Sequence, residues 1–248
     1  MKTAITLFEQ GEHRWRVIAR DPNKRTDLID TNEYLISHGD QLLLTDPGGL
    51  EIFPAVFAAL AEVADVRSLQ YLFSSHQDPD IISSLALWLE VNPAMKCYAS
   101  WLWTSFLPHF GGSESTFIAI PDEGMEIPLG GLALRAIPAH YLHSSGNFCL
   151  YDERSRLFFS GDIGAALLPA GADIFVSDFD AHIRHAEGFH RRWMPSNEAK
   201  RRWCERVSQL DIDLLCPQHG AIYQGGDVER FINWFDELRV GVTADEGY

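Results

Sequence analysis

The stretch SHQDPDI at residues 75–81 places three potential metal ligands just after an apolar run, LQYLF at residues 69–73. The apolar run is typical of a buried strand, and His76, Asp78 and Asp80 alternate where that strand ends. Two carboxylates and an imidazole at this spacing are suitable ligands for a divalent metal ion. The stretch therefore predicts a metal site at the end of a strand.

Three later segments carry a potential ligand at the same kind of place. The ligands are His143, Asp162 and His219, in the segments PAHYLH, FFSGD and CPQHG. In each segment a run rich in apolar residues gives way to Gly, Ser or polar residues, as happens where a strand ends in a loop. Six candidate ligands thus share one type of position in the chain.

The composition excludes some classes of function. A formal net charge of -15 over 248 residues gives a surface that repels phosphate backbones and anionic lipids, so we expect neither nucleic acid nor a membrane as a partner. The basic cluster at residues 190–192 and 200–202 is more typical of a solvated helix face, with an anionic partner protein as the weaker alternative. No signal peptide, membrane span or CxxC motif is found, which favours a cytoplasmic location.

The order of the predicted elements suggests two sheets packed face to face with helices outside. The patterns predict a hairpin over residues 34–45, a helix over 52–63 and a strand, loop and helix around the SHQDPDI stretch. They then predict a Trp-rich helix over residues 101–110, closely spaced strands, and a long helical region over 186–210. Because no linker is found, we expect a single domain over residues 1–248 whose strand ends meet at a common rim.

Taken in order, the four ligand segments resemble the metal signature of the metallo-β-lactamase superfamily. The similarity covers most of the chain and includes the NEYLI hairpin at residues 32–36 and the TDPG turn at residues 45–48. It implies an α/β fold of the αββα type, a four-layer sandwich of two packed mixed sheets with helices outside. It also implies a binuclear centre in which His76, Asp78 and His143 hold one metal, Asp80 and His219 hold the other, and Asp162 bridges the two.

Asp78 occupies the position that reports metal preference in this superfamily. Zinc hydrolases typically carry a histidine there, in the pattern HxHxDH, and flavodiiron proteins carry a glutamate, in HxExDH. A carboxylate in place of an imidazole favours iron over zinc. The chain therefore resembles the flavodiiron branch, and free-standing oxygen-binding di-iron proteins in particular, which implies two iron ions, with two zinc ions as the alternative. We expect no FMN domain in this chain.

Ile81 departs from the family pattern, because it stands where the last histidine of that pattern would be. We therefore expect the second metal to have an open position, unless another histidine supplies the ligand. The candidates for this replacement are His140, His182, His185 and His190. For His140 we favour a place beside the ligands or at the surface. Asp46, in the TDPG turn, is expected to support the loop of the nearby carboxylate ligands through hydrogen bonds.

The resemblance implies a non-haem di-iron protein that binds dioxygen. Such a protein either senses oxygen or reduces it with electrons from a separate redox partner, so the sequence leaves open whether it is an enzyme. The alternative is a binuclear zinc-dependent hydrolase, in which two cations activate a bridging water. A signalling partner and a homodimer are further options that the sequence does not decide.

Overall fold

Two mixed β-sheets pack face to face with helices on both outer sides in the computed structural model of the protein, which describes residues 2–21 and 29–242. The first sheet contains, in spatial order, β1 (Thr3–Gln10), β2 (His13–Ala19), β3 (Glu33–His38), β4 (Gln41–Thr45), β5 (Tyr71–Phe73), β6 (Lys96–Ser100) and β7 (Phe117–Ile120). The second contains β8 (Met125–Leu129), β9 (Leu132–Pro138), β10 (Phe148–Asp152), β11 (Leu157–Gly161), β12 (Leu214–Pro217) and β13 (Tyr223–Gln224). The predicted α/β sandwich is confirmed.

Six α-helices within the described residues cover the sheets. They are α1 (Phe53–Ala61), α2 (Pro79–Ile82), α3 (Leu85–Val91), α4 (Phe179–Trp193), α5 (Asn197–Val207) and α6 (Gly226–Glu237). One apolar cluster joins α1, α2 and α3 to the outer face of the first sheet, and another joins α4, α5 and α6 to the outer face of the second. A third cluster lies between the sheets, where the rings of Phe73 and Phe159 meet edge to face at 6.2 Å.

The alternation of side chains along the strands explains why each sheet buries both faces. In β10, Phe148 and Leu150 point into the cluster between the sheets, whereas Cys149 and Tyr151 point towards the outer helices. Successive side chains of a strand point to opposite faces, so a strand covered on both sides must be apolar throughout. This is why the central strands appear in the sequence as short continuous apolar runs.

Parallel pairing brings several strand ends to one edge of the sandwich. Strands β4, β5 and β6 run parallel in the first sheet, and β11 and β12 run parallel in the second. The helices between them provide the crossover connections that parallel strands require. The loops that follow these strands therefore leave the sheets at their carboxyl ends, which is where ligands gather in open α/β sheets.

Two of the predicted helices differ from the structure, and two strands were not predicted. Residues 101–110 form turns and a short 3-10 helix, Leu107–Phe110, rather than an α-helix. The long helical region is two helices, because Pro195 disfavours a helical Met194, and Ser196 then caps α5 by accepting a hydrogen bond from the Ala199 N–H at 3.1 Å. Strands β1 and β2 were not predicted; β1 is the exposed edge strand with weak alternation, whereas β2 is largely buried between β1 and β3.

Candidate metal centre

All six predicted ligands lie at the edge of the sandwich where central strands of both sheets end. His76, Asp78 and Asp80 follow β5, His143 follows β9, Asp162 follows β11, and His219 follows β12. Gly161 has a positive φ of 57°, and a side chain there would lie 3.2 Å from Ser75, so the turn before Asp162 needs glycine. Side chains from both sheets thus meet in one place.

His76, Asp78 and His143 form one half of the centre. Their ligand atoms all lie within 4.8 Å of one another. The Oδ2 atom of Asp78 is 3.6 Å from Nε2 of His76 and 3.5 Å from Nε2 of His143. Two imidazole nitrogens and a carboxylate oxygen at this spacing can converge on one cation.

Asp80 and His219 form the other half, and Asp162 lies between the halves. Nε2 of His219 is 3.3 Å from Oδ2 of Asp80 and 3.4 Å from Oδ1 of Asp162. The Oδ2 atom of Asp162 lies 2.9 Å from Nε2 of His143 and 3.7 Å from Nε2 of His76. One carboxylate therefore faces histidines of both halves, as a bridging ligand must.

Ile81 is fully buried in the apolar cluster on the outer side of the first sheet. Of the histidines that could replace the missing ligand, His140, His182 and His190 bond groups elsewhere, and His185 is exposed on α4. Their partners are the carbonyl of Asp122, the hydroxyl of Tyr223, and the backbone of Gly164 and Ala186. Within residues 2–21 and 29–242, the second half thus gains no histidine in place of Ile81.

Hydrogen bonds on the far side of two imidazoles orient them. The hydroxyl of Ser75 donates to Oδ2 of Asp46 at 2.7 Å and lies 2.9 Å from Nδ1 of His76. Because Ser75 donates its hydroxyl proton to Asp46, its oxygen is left to accept from Nδ1 of His76. Nδ1 of His219 donates to the carbonyl of Asp30 at 2.7 Å. Both imidazoles therefore present Nε2 to the centre, as metal-binding histidines do.

Asp46 hydrogen-bonds the loop of the carboxylate ligands, as predicted, and it does so at Ser75, the residue before His76. Its Oδ1 accepts from the backbone N–H of Ser75 at 2.7 Å, so the turn stabilises the residue beside His76 rather than Asp78 or Asp80. Burial raises the pKa of Asp46 to about 7, against the opposing effect of His76 and the Ser75 hydrogen bonds. The role of Ser75 was missed, because a serine before a histidine has no recognisable pattern in the sequence.

Opposite charges set the protonation of the buried groups. Burial alone would lower the pKa of His76, but Asp162 and Asp78 raise it to about 9. Burial likewise disfavours a charged His219, but Asp162 and Asp80 raise its pKa well above the usual value. Burial would raise the pKa of Asp162, yet His219 and His76 hold it well below its usual range. The centre thus balances negative carboxylates with positive charge, which a cation can supply in place of protons.

Two buried atoms at the centre have no hydrogen-bond partner among the described residues. They are Nε2 of His76 and Oδ1 of Asp162. Since buried polar atoms are normally paired, such atoms indicate an additional partner. A lone pair on an imidazole nitrogen and one on a carboxylate oxygen both suit iron or zinc. The residues present therefore fit metal ions at this place.

A cleft of about 490 Å³ leads from the surface to the ligands. Its apolar lining includes Ile29, Leu167, Phe189 and Trp193. The indole of Trp193 is 55% exposed, stacks on Phe189, and meets the ring of His143 edge on at 5.6 Å. The pair Phe189 and Trp193 was not predicted from the sequence, although their i, i+4 spacing indicates that the two rings lie side by side on one helix.

The basic cluster predicted to be a solvated face is largely paired. Lys200 is buried and donates to the carbonyl of Phe235 at 2.8 Å, and Arg201 and Arg202 both contact Glu198. The local positive charge is thereby reduced, which weakens the alternative of an anionic protein partner at this place. Among the described residues, no helix has the length and apolar character needed to cross a membrane.

Two solved structures are similar to the chain over nearly its whole length. One is described as a peroxy diiron species of chemotaxis sensor ODP, with 39% identity, a TM-score of 0.88, and coverage of 98% of both chains. The other, the apo state of chemotaxis sensor ODP from T. denticola, also has 39% identity, with a TM-score of 0.87 and coverage of 98% of this chain and 97% of that one. The predicted resemblance to di-iron relatives is thereby confirmed.

More distant relatives share the fold. A flavoprotein from Thermotoga maritima is 20% identical with a TM-score of 0.80, and the match covers 95% of this chain and 61% of that one. The uncharacterized protein MJ0732 of Methanocaldococcus jannaschii is 23% identical over 207 residues, which are 82% of this chain and 52% of that protein. The chain thus spans about half the length of this curated relative. A family model described as ODP family beta lactamase matches residues 29–220, and the chain belongs to that family.

Proposed function

We propose that the protein is a non-haem di-iron protein that binds dioxygen and acts as an oxygen sensor. The observation that carries the proposal is the buried Asp162 carboxylate, which faces histidines of both halves of the centre and has an unpaired Oδ1. The similar structure with 39% identity is described as a peroxy diiron species of a chemotaxis sensor, which supports iron and dioxygen as the ligands. Reduction of oxygen would require electrons from a separate partner protein.

In this proposal the six ligands keep the roles implied by the sequence. His76, Asp78 and His143 would hold one iron, Asp80 and His219 would hold the other, and Asp162 would serve both. When bound, ferrous iron would supply electrons for the binding of dioxygen. Asp46 and Ser75 fix the ring of His76, and the carbonyl of Asp30 fixes the ring of His219.

The surroundings control what reaches the centre. Ile81 offers no ligand atom, so the half with Asp80 and His219 keeps a position open for a small molecule. Phe189 and Trp193 cover one side of His143 with apolar rings, which limits the access of water to that imidazole. The apolar part of the cleft lining is compatible with a small apolar molecule such as dioxygen.

The experiment is to purify the protein without oxygen, measure its metals, and record the visible spectrum while air is admitted. About two irons per chain and a new absorption band on oxygenation are expected, because the ligand set has two halves. Zinc alone, together with turnover of esters or thioesters, would contradict the proposal and support the hydrolase. Removing air again should reverse the spectral change if the protein senses oxygen, whereas consumption of oxygen with an added electron donor indicates reduction.

A further inference from the structure

Gln77 joins the two loops that supply the first half of the centre. Its side-chain Nε2 donates to Oδ1 of Asp78 at 3.0 Å. Its Oε1 accepts from the hydroxyl of Ser144 at 2.6 Å, and Ser144 directly follows His143. A chain of two hydrogen bonds therefore runs from the loop after β9 to the carboxylate after β5.

The chemistry of the three side chains fixes which atom donates and which accepts in each of the two hydrogen bonds. An ionised carboxylate only accepts hydrogen bonds, so the amide nitrogen of Gln77 must face Asp78 and its oxygen must face Ser144. The oxygen in turn only accepts, so Ser144 must donate. Ser144 is buried, whereas 29% of the Asp78 side chain is exposed. The better ordered end of this pair of hydrogen bonds is therefore Ser144, in the loop of His143.

This arrangement leaves Asp78 with one oxygen for the centre. Oδ1 is engaged by Gln77, while Oδ2 faces the Nε2 atoms of His76 and His143. Without the Gln77 amide, the partly exposed Asp78 side chain can rotate, turn both oxygens to a cation, or swing towards water. Hydrogen bonds of this kind decide how a carboxylate ligand is presented.

We propose that Gln77 is a positioning residue that presents Asp78 through Oδ2 alone and ties its loop to the loop of His143. The proposal rests on the proposed function, because it takes Asp78 to be a metal ligand. Gln77 itself touches no metal position, and it acts through Asp78 and Ser144.

Two variants at one position separate the two hydrogen bonds. Gln77→Met keeps the length of the side chain and removes both bonds. Gln77→Glu keeps an acceptor for Ser144 and removes the donor to Asp78. The added charge of the glutamate attracts cations but also repels the Asp78 carboxylate, so Gln77→Met, which adds no charge, decides whether loss of the hydrogen bonds alone speeds the release of metal.

The measurement is the release of ferrous iron from the anaerobically loaded protein to a coloured chelator, followed over time. Both variants should release one of the two irons about 10- to 100-fold faster than the wild type, with the other iron unchanged. Ser144→Ala should act in the same direction, and Gln77→Met combined with Ser144→Ala should be no worse than Gln77→Met alone, because the bonds lie in series. Melting temperatures of the metal-free variants should equal that of the wild type.

The matched control is Gln209→Met, an exposed glutamine after α5 that donates to Ser208 at 3.4 Å, and it should release iron like the wild type. If Gln77→Glu releases iron at the wild-type rate while Gln77→Met releases it fast, the proposed positioning of Asp78 is overturned. Wild-type release from both overturns the whole inference and leaves the di-iron proposal intact. A wild-type protein that binds no iron overturns both proposals.

Discussion

The side chain of Asp162 lies between the two halves of the centre. Each of its two oxygens faces histidines of a different half, and the side chain is almost fully buried. We predict that Asp162→Asn weakens the binding of both metals by at least about 100-fold, because even residues that merely support ligands change affinity 10- to 100-fold. Metal analysis of the purified variant checks this. Retention of two metals per chain would show that the carboxylate is not shared.

The identity of the residue at position 78 should set the metal preference. Asp78→His replaces an anionic oxygen by a neutral nitrogen beside His76 and His143, and it restores the second histidine of the zinc-hydrolase pattern, while Ile81 still stands in place of the last one. We expect the ratio of zinc to iron bound from an equimolar mixture to rise about tenfold, since imidazole suits zinc well and a carboxylate favours harder ions. Competition binding followed by metal analysis measures the ratio of zinc to iron. An unchanged ratio would contradict the assignment of Asp78 as a selectivity residue.

The residues that touch the centre were more predictable than those that orient them. Histidines and aspartates at strand ends form a pattern that is visible in the sequence, because the strand periodicity and the ligand chemistry coincide. Ser75, Gln77 and Ser144 carry no such signal. Their hydrogen bonds depend on how separate loops approach each other, for Gln77 and Ser144 loops from different sheets, and no local rule describes that approach.

At the scale of elements, Asp152 fastens the two sheets together. It ends β10 of the second sheet, and its Oδ2 lies 2.6 Å from Nε2 of His13 and accepts from the indole of Trp15 at 2.7 Å, both in β2 of the first sheet. Its side chain is only 2% exposed. We predict that Asp152→Asn lowers the free energy of unfolding by about 2–3 kcal/mol, because it removes a buried, charge-assisted set of hydrogen bonds.

This loss should depend on pH in a defined direction. Burial would raise the pKa of Asp152, but hydrogen bonds from His13 and Ser155 outweigh burial and hold the pKa below its usual value. A lowered folded pKa contributes stability above the unfolded value of about 3.9, and that contribution disappears as the pH falls further. Denaturant unfolding at pH 7 and near pH 3 should therefore show a large difference from Asp152→Asn only at pH 7. Asp211→Asn, 77% exposed and paired with Arg156, is the control and should change little at either pH.

Local sequence rules predict some of the element boundaries but not others. The break between α4 and α5 follows from Pro195 and the Ser196 cap, so the sequence contained it and the prediction of one long helix overlooked it. Residues 101–110 have helical composition, but Pro108 and the glycines at 111–112 limit them to turns and a short 3-10 helix. Strand β1 pairs with β2, and β2 pairs with β3, and no single segment reveals this pairing.

At the scale of the whole molecule, bound metal would join the two sheets. The ligands after β5 belong to the first sheet, and those after β9, β11 and β12 belong to the second. A ligand that binds only the folded state stabilises it by about 4 kcal/mol at 1,000 times its dissociation constant. We predict that a chelator lowers the melting temperature by on the order of 10 °C for a domain of this size. Thermal unfolding followed by circular dichroism tests this, and Asp162→Asn should lose most of the chelator effect.

The order of the ligand segments along the chain has a consequence for biosynthesis. During translation the SHQDPDI loop emerges first and His219 emerges last, after both sheets have nearly been completed. A growing chain therefore displays one histidine and two carboxylates without the partners that enclose an ion, and such a half-formed set holds iron weakly. The complete centre exists only after the parallel pair β11 and β12 has formed. In the proposed di-iron protein, metal should accordingly enter the folded chain through the cleft, so that loading with metal is an event separate from folding.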